Sequence, residues 1–155
     1  MYVENSELRS IRMDGNKKKE LLKRLIHTKT PDDKVAAMFS FLKKNEIPLD
    51  VENIHRAFCK LKEKYPEILE EFVFSRNDIY PFSPLLERTL FRLQNSGLIS
   101  TVNPDFKRCI ISDESKAYIR KSILPIFQDE EKRKLEKMGK TFEQRITMKQ
   151  NVSGR

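Results

Sequence analysis

Glycine is scarce in this chain, with four in 155 residues. A loop that cradles phosphate through its backbone needs several in one short run, and no such loop is present; nor is there a Gly-x-Ser-x-Gly elbow for a nucleophile. Histidine is scarcer still, with two. Acid–base catalysis would therefore have to rest on unmarked carboxylates or lysines, and the chain reads as a non-enzyme. Two cysteines, Cys59 and Cys109, are too few for the disulfide framework of a small secreted protein. The first residues, MYVENSELRS, hold no apolar signal core. No run approaches the roughly 18 consecutive apolar residues of a membrane span. These absences predict a soluble, cytoplasmic protein with reduced thiols and no membrane partner.

What the chain does have is charge. Charged residues make up 35% and hydrophobic ones 38%, so a modest core is expected to carry charged helical arms. Against 23 acidic residues stand 31 basic ones, giving a net charge of +8 and a pI of about 9.5. A basic surface attracts polyanions in a salt-dependent way. The excess is uneven: residues 1–30 carry +4 and 145–155 carry +3, whereas 31–82 carry −2 and 83–112 carry +2. That distribution suits a neutral scaffold with basic contact surfaces.

Four segments follow from the pattern: a basic arm over 1–29, a central domain over 30–112, helices over 113–144 and a basic unstructured tail over 145–155. Asn16–His27 carries Leu21, Leu22, Leu25 and Ile26 at helical spacing. Thr30-Pro31-Asp32-Asp33 is a helix start, with a hydroxyl cap, proline at the first position and acids facing the helix dipole. Asp50 is expected to cap a second helix through Ile54, Phe58 and Leu61. Phe72–Phe74 reads as a short strand, and Ser75–Phe82 as a turn-rich linker. Asp113 is expected to cap a further helix. From Gln128 to Gln144 the apolar stripe is thin, with only Leu135, Met138 and Phe142, and is expected to pack on a partner surface.

The segment from Ser83 to Ser112, SPLLERTLFRLQNSGLISTVNPDFKRCIIS, is the most informative. Ser83 and Pro84 open a helix in which Leu86, Leu90 and Leu93 share one side, and Gly97 closes it. Leu98–Thr101 and Cys109–Ile111 then bracket the turn Asn103-Pro104-Asp105. This order, with the phrase Leu93-Gln94-Asn95-Ser96-Gly97-Leu98-Ile99, resembles the recognition helix and β-wing of the winged helix-turn-helix superfamily over about residues 30–112. Pro66–Phe82 stands where that superfamily commonly has a short turn. The resemblance implies a mainly α fold with a small antiparallel β-sheet, a winged-helix domain with N- and C-terminal helical extensions.

It also implies double-stranded DNA as partner, with helix 83–96 in the major groove and the wing over 102–108 on the backbone. The expected DNA-binding residues are then Arg88, Phe91, Arg92, Asn95, Lys107 and Arg108. Arginine can grip a guanine edge or a phosphate, asparagine can pair with adenine, and a basic wing positions the protein on phosphate. Phe91 sits on the outer flank. It is expected to lie under the linker, the other placements being an interface stack or contact with a thymine methyl. The expected function is a transcriptional regulator, homodimeric through its terminal helices. The alternatives are a winged-helix protein–protein interaction module, or a toxin–antitoxin or phage-type accessory protein. If acids neutralise the basic face, or Phe91 lies in an exposed apolar patch, protein interaction gains over DNA. His55 and Cys59 have the spacing of two metal ligands on a helix but no converging pair, so a buried cysteine beside an ordinary histidine is expected. No metal, cofactor or small-molecule ligand is predicted.

Overall fold

The computed structural model describes residues 29–76, 79–102 and 107–153, with the side chains of the last helix described through residue 147. The expected helix over 16–27 and the wing tip over 103–106 lie outside the described residues. The fold is mainly helical with a small three-stranded antiparallel sheet.

Four helix starts are set by a capping side chain. Helix α1, Pro31–Phe39, opens on a reciprocal capping box: the Asp33 N–H donates to Thr30 Oγ1 at 3.1 Å, and the Thr30 N–H donates back to Asp33 Oδ2 at 3.2 Å. Strand β1, Glu46–Pro48, precedes helix α2, Val51–Lys64, which Asp50 caps. Ser83 caps helix α3, Pro84–Asn95, by accepting from the Leu86 N–H.

Gly97, at φ 83°, ends α3 in the left-handed conformation. Two bonds complete the stop, Leu98 N–H to Leu93 O at 3.1 Å and Gly97 N–H to Gln94 O at 3.0 Å. This is the Schellman pattern, and it turns the chain sharply into the sheet. Strands β2, Ser100–Thr101, and β3, Arg108–Ile110, form the hairpin. Helix α4, Asp113–Ser122, follows, capped by Ser112 rather than by Asp113. A short 3-10 turn, Leu124–Ile126, leads into helix α5, Asp129–Ser153.

The strand order is β1–β3–β2, with β3 in the centre. Glu46 pairs with Ile110 and Pro48 with Arg108 on one side; Ser100 pairs with Ile110 and Thr101 with Cys109 on the other. The third strand is therefore Glu46–Pro48, and Phe72–Phe74 forms none. There the turn after α2 takes the backbone groups instead. The Phe72 N–H donates to Leu69 O, the Phe72 carbonyl accepts from Lys62 Nζ at 2.6 Å, and Val73 stands 68% exposed.

The core lies between α1, α2 and α5. Phe142 of α5 meets Phe58 of α2 at 5.2 Å and Phe39 of α1 at 5.6 Å between ring centres. Leu135, Met138, Phe142 and Ile146 are all buried. The thin stripe of α5 is thus spent on the chain's own body, which corrects the expectation that it awaits a partner. Ile146, four residues beyond Phe142, extends the stripe, and the helix runs to Ser153 instead of ending near Gln144. Gly139 permits the close approach: a Cβ there would lie 2.8 Å from Met38 O. Among the described residues, no helix is long and apolar enough to cross a membrane.

Candidate interaction surface

Helix α3 is held on its inner side by Leu86, Thr89 and Leu93, all buried, whereas Leu90 is only partly covered. Thr89 replaces Leu90 in the interior by satisfying its own hydroxyl, which donates to Leu85 O at 2.8 Å. Leu90 is left at the edge of the outer face.

His55 fixes the start of this helix. It is fully buried, and its Nδ1 accepts the Ser83 N–H at 3.0 Å. An accepting Nδ1 places the ring proton on Nε2, which donates to Glu87 Oε2 at 3.2 Å. Phe82 stacks on the ring at 4.5 Å, with Phe74 and Tyr80 edge-on. Burial pushes the His55 pKa down, opposed by the hydrogen bond and charge of Glu87. Tyr80 and Phe82 of the linker are therefore tied to α2 and the N-terminus of α3 through one histidine. The expected burial is reversed: His55 is the buried partner, while Cys59 is only partly covered.

Two of the four predicted basic residues are paired with acids. Arg92 grips Asp32 of α1 with two donors, Nε to Oδ2 at 2.9 Å and Nη2 to Oδ1 at 2.7 Å. Arg108 Nη1 donates to Glu46 Oε1 at 3.0 Å across the sheet. Glu87 is committed to His55. Arg88 and Asn95 are exposed, as is Lys107, whose carbonyl accepts the Leu49 N–H at 2.7 Å. Of the six predicted residues, the structure puts Arg88, Phe91, Arg92 and Asn95 on one helix face. Arg108 opens strand β3, and Lys107 directly precedes it.

Phe91 is not covered by the linker. It stands 61% exposed, because the linker packs on His55, nearer the start of the helix. Beside it lies a small cleft of about 120 Å³ lined by Leu49, Val51, Leu90 and Ile99, with Ile54 and His55 at its base. Val51 is itself 42% exposed. The result is an apolar strip running from the first turn of α2 to the middle of α3, with Glu87 and Gln94 at its rim. Sequence reasoning missed Val51 as an exposed residue and Leu90 as a half-buried one. Their only local signal was a helix-spaced leucine and a valine at a helix start, which equally suit burial.

Among the described residues no three His, Cys, Asp or Glu side chains converge to hold a metal ion. Burial pushes the Cys109 thiol up to about 11. Comparison with protein-family models, curated proteins and solved structures found no match.

Proposed function

We propose that the chain is a winged-helix binding module without catalytic activity, which docks a protein partner through the outer face of α3. The winged-helix reading is supported by the element order α1–β1–α2–α3–β2–β3 with β3 between the other two strands. The docking reading rests on Phe91: a large aromatic ring held in solvent on a rigid, capped helix beside an apolar cleft. Single exposed apolar residues are ordinary, but contiguous ones beside a cleft mark interaction sites, and aromatic anchors dominate their energetics. Arg88, three residues before Phe91, makes no ion pair among the described residues. The complementary partner is a protein segment with an apolar side chain for the cleft and a carboxylate for Arg88. The two free cysteines suit a reducing compartment such as the cytoplasm.

Duplex DNA is the second reading, favoured by the net charge of +8 and by exposed Arg88 and Asn95 on one helix face. The carboxylates of Asp32, Glu46 and Glu87 count against it, since they neutralise or interrupt that face. A photo-crosslinking residue at position 88 tests the choice in cells that make the protein. One discrete protein adduct, lost with Phe91→Ser, supports docking. Nuclease-sensitive adducts, together with salt-dependent binding of random duplex, overturn it in favour of DNA.

A further inference from the structure

The other flank of α2 carries a second feature, independent of the Phe91 strip. A pocket of about 310 Å³ opens between α2 and α5, with Pro81 of the linker forming one wall. Helix α2 contributes Arg56, Cys59, Lys60 and Glu63, and Arg145 reaches in from α5. Three cations thus face one acid.

None of these cations is strongly engaged. Arg56 donates Nε to Glu52 at 3.1 Å, and its Nη2 lies 3.5 Å from Ile79 O, which leaves other donors of the fork unused. Lys60 lies 3.6 Å from Glu63, both more than half exposed, an arrangement worth little and readily exchanged. Arg145 makes no hydrogen bond or ion pair among the described residues. Beyond the lining, Arg76 and Lys62 also bear on the Cys59 thiol. Burial and then the Glu63 charge keep that thiol protonated, so it adds no negative charge to the pocket.

We propose that this pocket binds a diphosphate group, with the guanidinium groups of Arg56 and Arg145 gripping its oxygens and Lys60 supplying a point charge. Each guanidinium fork takes a pair of oxygens, from a carboxylate or a phosphate alike. Two forks and an ammonium together call for more acceptor oxygens than a single carboxylate has, and a diphosphate supplies them. The volume sits at the small end of ligand pockets and suits a compact anion better than a bulky cofactor. Asn53, on the same wall, donates one amide N–H to Asp50 Oδ2 at 3.1 Å, which leaves its second N–H for the ligand. The group could arrive free or on a nucleoside, and the chemistry that recognises it is the same.

Cys59 reports occupancy. Its alkylation by neutral iodoacetamide in the intact protein is followed with inorganic pyrophosphate, with a nucleoside diphosphate, or with sodium chloride at matched ionic strength. Buried Cys109 is the unreactive internal control. A Kd of about 1 mM slows alkylation about sixfold at about 5 mM pyrophosphate, while chloride leaves it unchanged. In the double variant Lys60→Gln, Arg145→Gln the ligand-free rate falls, because the Lys60 charge no longer favours the thiolate. Protection, read as the ratio of the rates without and with ligand, drops to one. Equal protection by both probes assigns the site to diphosphate alone; stronger protection by the nucleoside form adds the nucleoside to the ligand. Protection no greater than that of chloride, or protection undiminished in the double variant, overturns the proposal.

Discussion

Helices α3 and α5 make opposite use of their apolar residues. The stripe of α5 is sparse and surrounded by charge, yet Leu135, Met138, Phe142 and Ile146 all vanish into the core. Helix α3 has a richer apolar set and leaves Leu90 half-covered and Phe91 in solvent. What separates them is continuity. Residues spaced by three and four along α5 form one unbroken seam on α1 and α2, and each turn reinforces the next. Phe91 lies outside the seam of α3, so nothing in its own helix requires a cover. A thin stripe that keeps its period is a core signal; an off-stripe aromatic is a surface to be explained.

The sharpest way to break this contrast is Phe142→Ala. Removing the ring that joins Phe39 and Phe58 is expected to cost about 3–5 kcal/mol, read as a lower urea midpoint with unchanged slope. A loss under about 1 kcal/mol would show that the α5 seam contributes little. Next in size is Gly139→Val. Helix propensity alone favours the change, but its Cβ would meet the Met38 carbonyl at 2.8 Å. Overpacking is expected to win by about 1–3 kcal/mol, and a raised melting temperature would refute the close approach.

The tether of α3 is tested by pH. The folded-state pKa of His55 is depressed, so the unfolded chain binds the extra proton first. The stability from the neutral ring is present in full above its ordinary value of 6.5 and is lost as pH falls from there through the folded value. A falling urea midpoint over that window, flattened in His55→Asn, is the expected outcome. The smallest effects belong to the outer face. Phe91→Ala is expected to change stability by no more than about 0.5 kcal/mol, and Arg92→Gln by about 1 kcal/mol or less, since both groups are exposed. A large loss for Phe91→Ala in the isolated chain would mean that the ring is structural.

Much of the local structure could be read from single residues. Thr30, Asp50 and Ser83 cap the helices they were expected to cap, and Gly97 stops α3 at the expected residue. What could not be read is what depends on distant partners. Glu46–Pro48 looks like a loop until β3 arrives to pair with it, and Phe72–Phe74 looks like a strand until Lys62 takes its carbonyl. Arg92 looked free because Asp32, which binds it, is 60 positions away and had a complete local explanation as a helix-start acid. The acids that pair with Arg92 and Arg108 were therefore missed, and Phe91 was given a cover that packs elsewhere.

The central place of β3 carries a kinetic consequence. Its hairpin with β2 closes over a short loop, but its pairing with β1 brings together Glu46 and Arg108, 62 positions apart. Between them lie α2, the linker and α3, which must be collapsed before the ends can meet. Once those elements have condensed, little of the closure entropy remains to oppose the pairing, so β1 is expected to join after the rate-limiting barrier. Ile47→Val should then speed unfolding while leaving the refolding rate nearly unchanged, as stopped-flow measurements in urea would record. The last strand to dock would thus be the first to leave, and transient opening of the native sheet would begin at Glu46–Pro48.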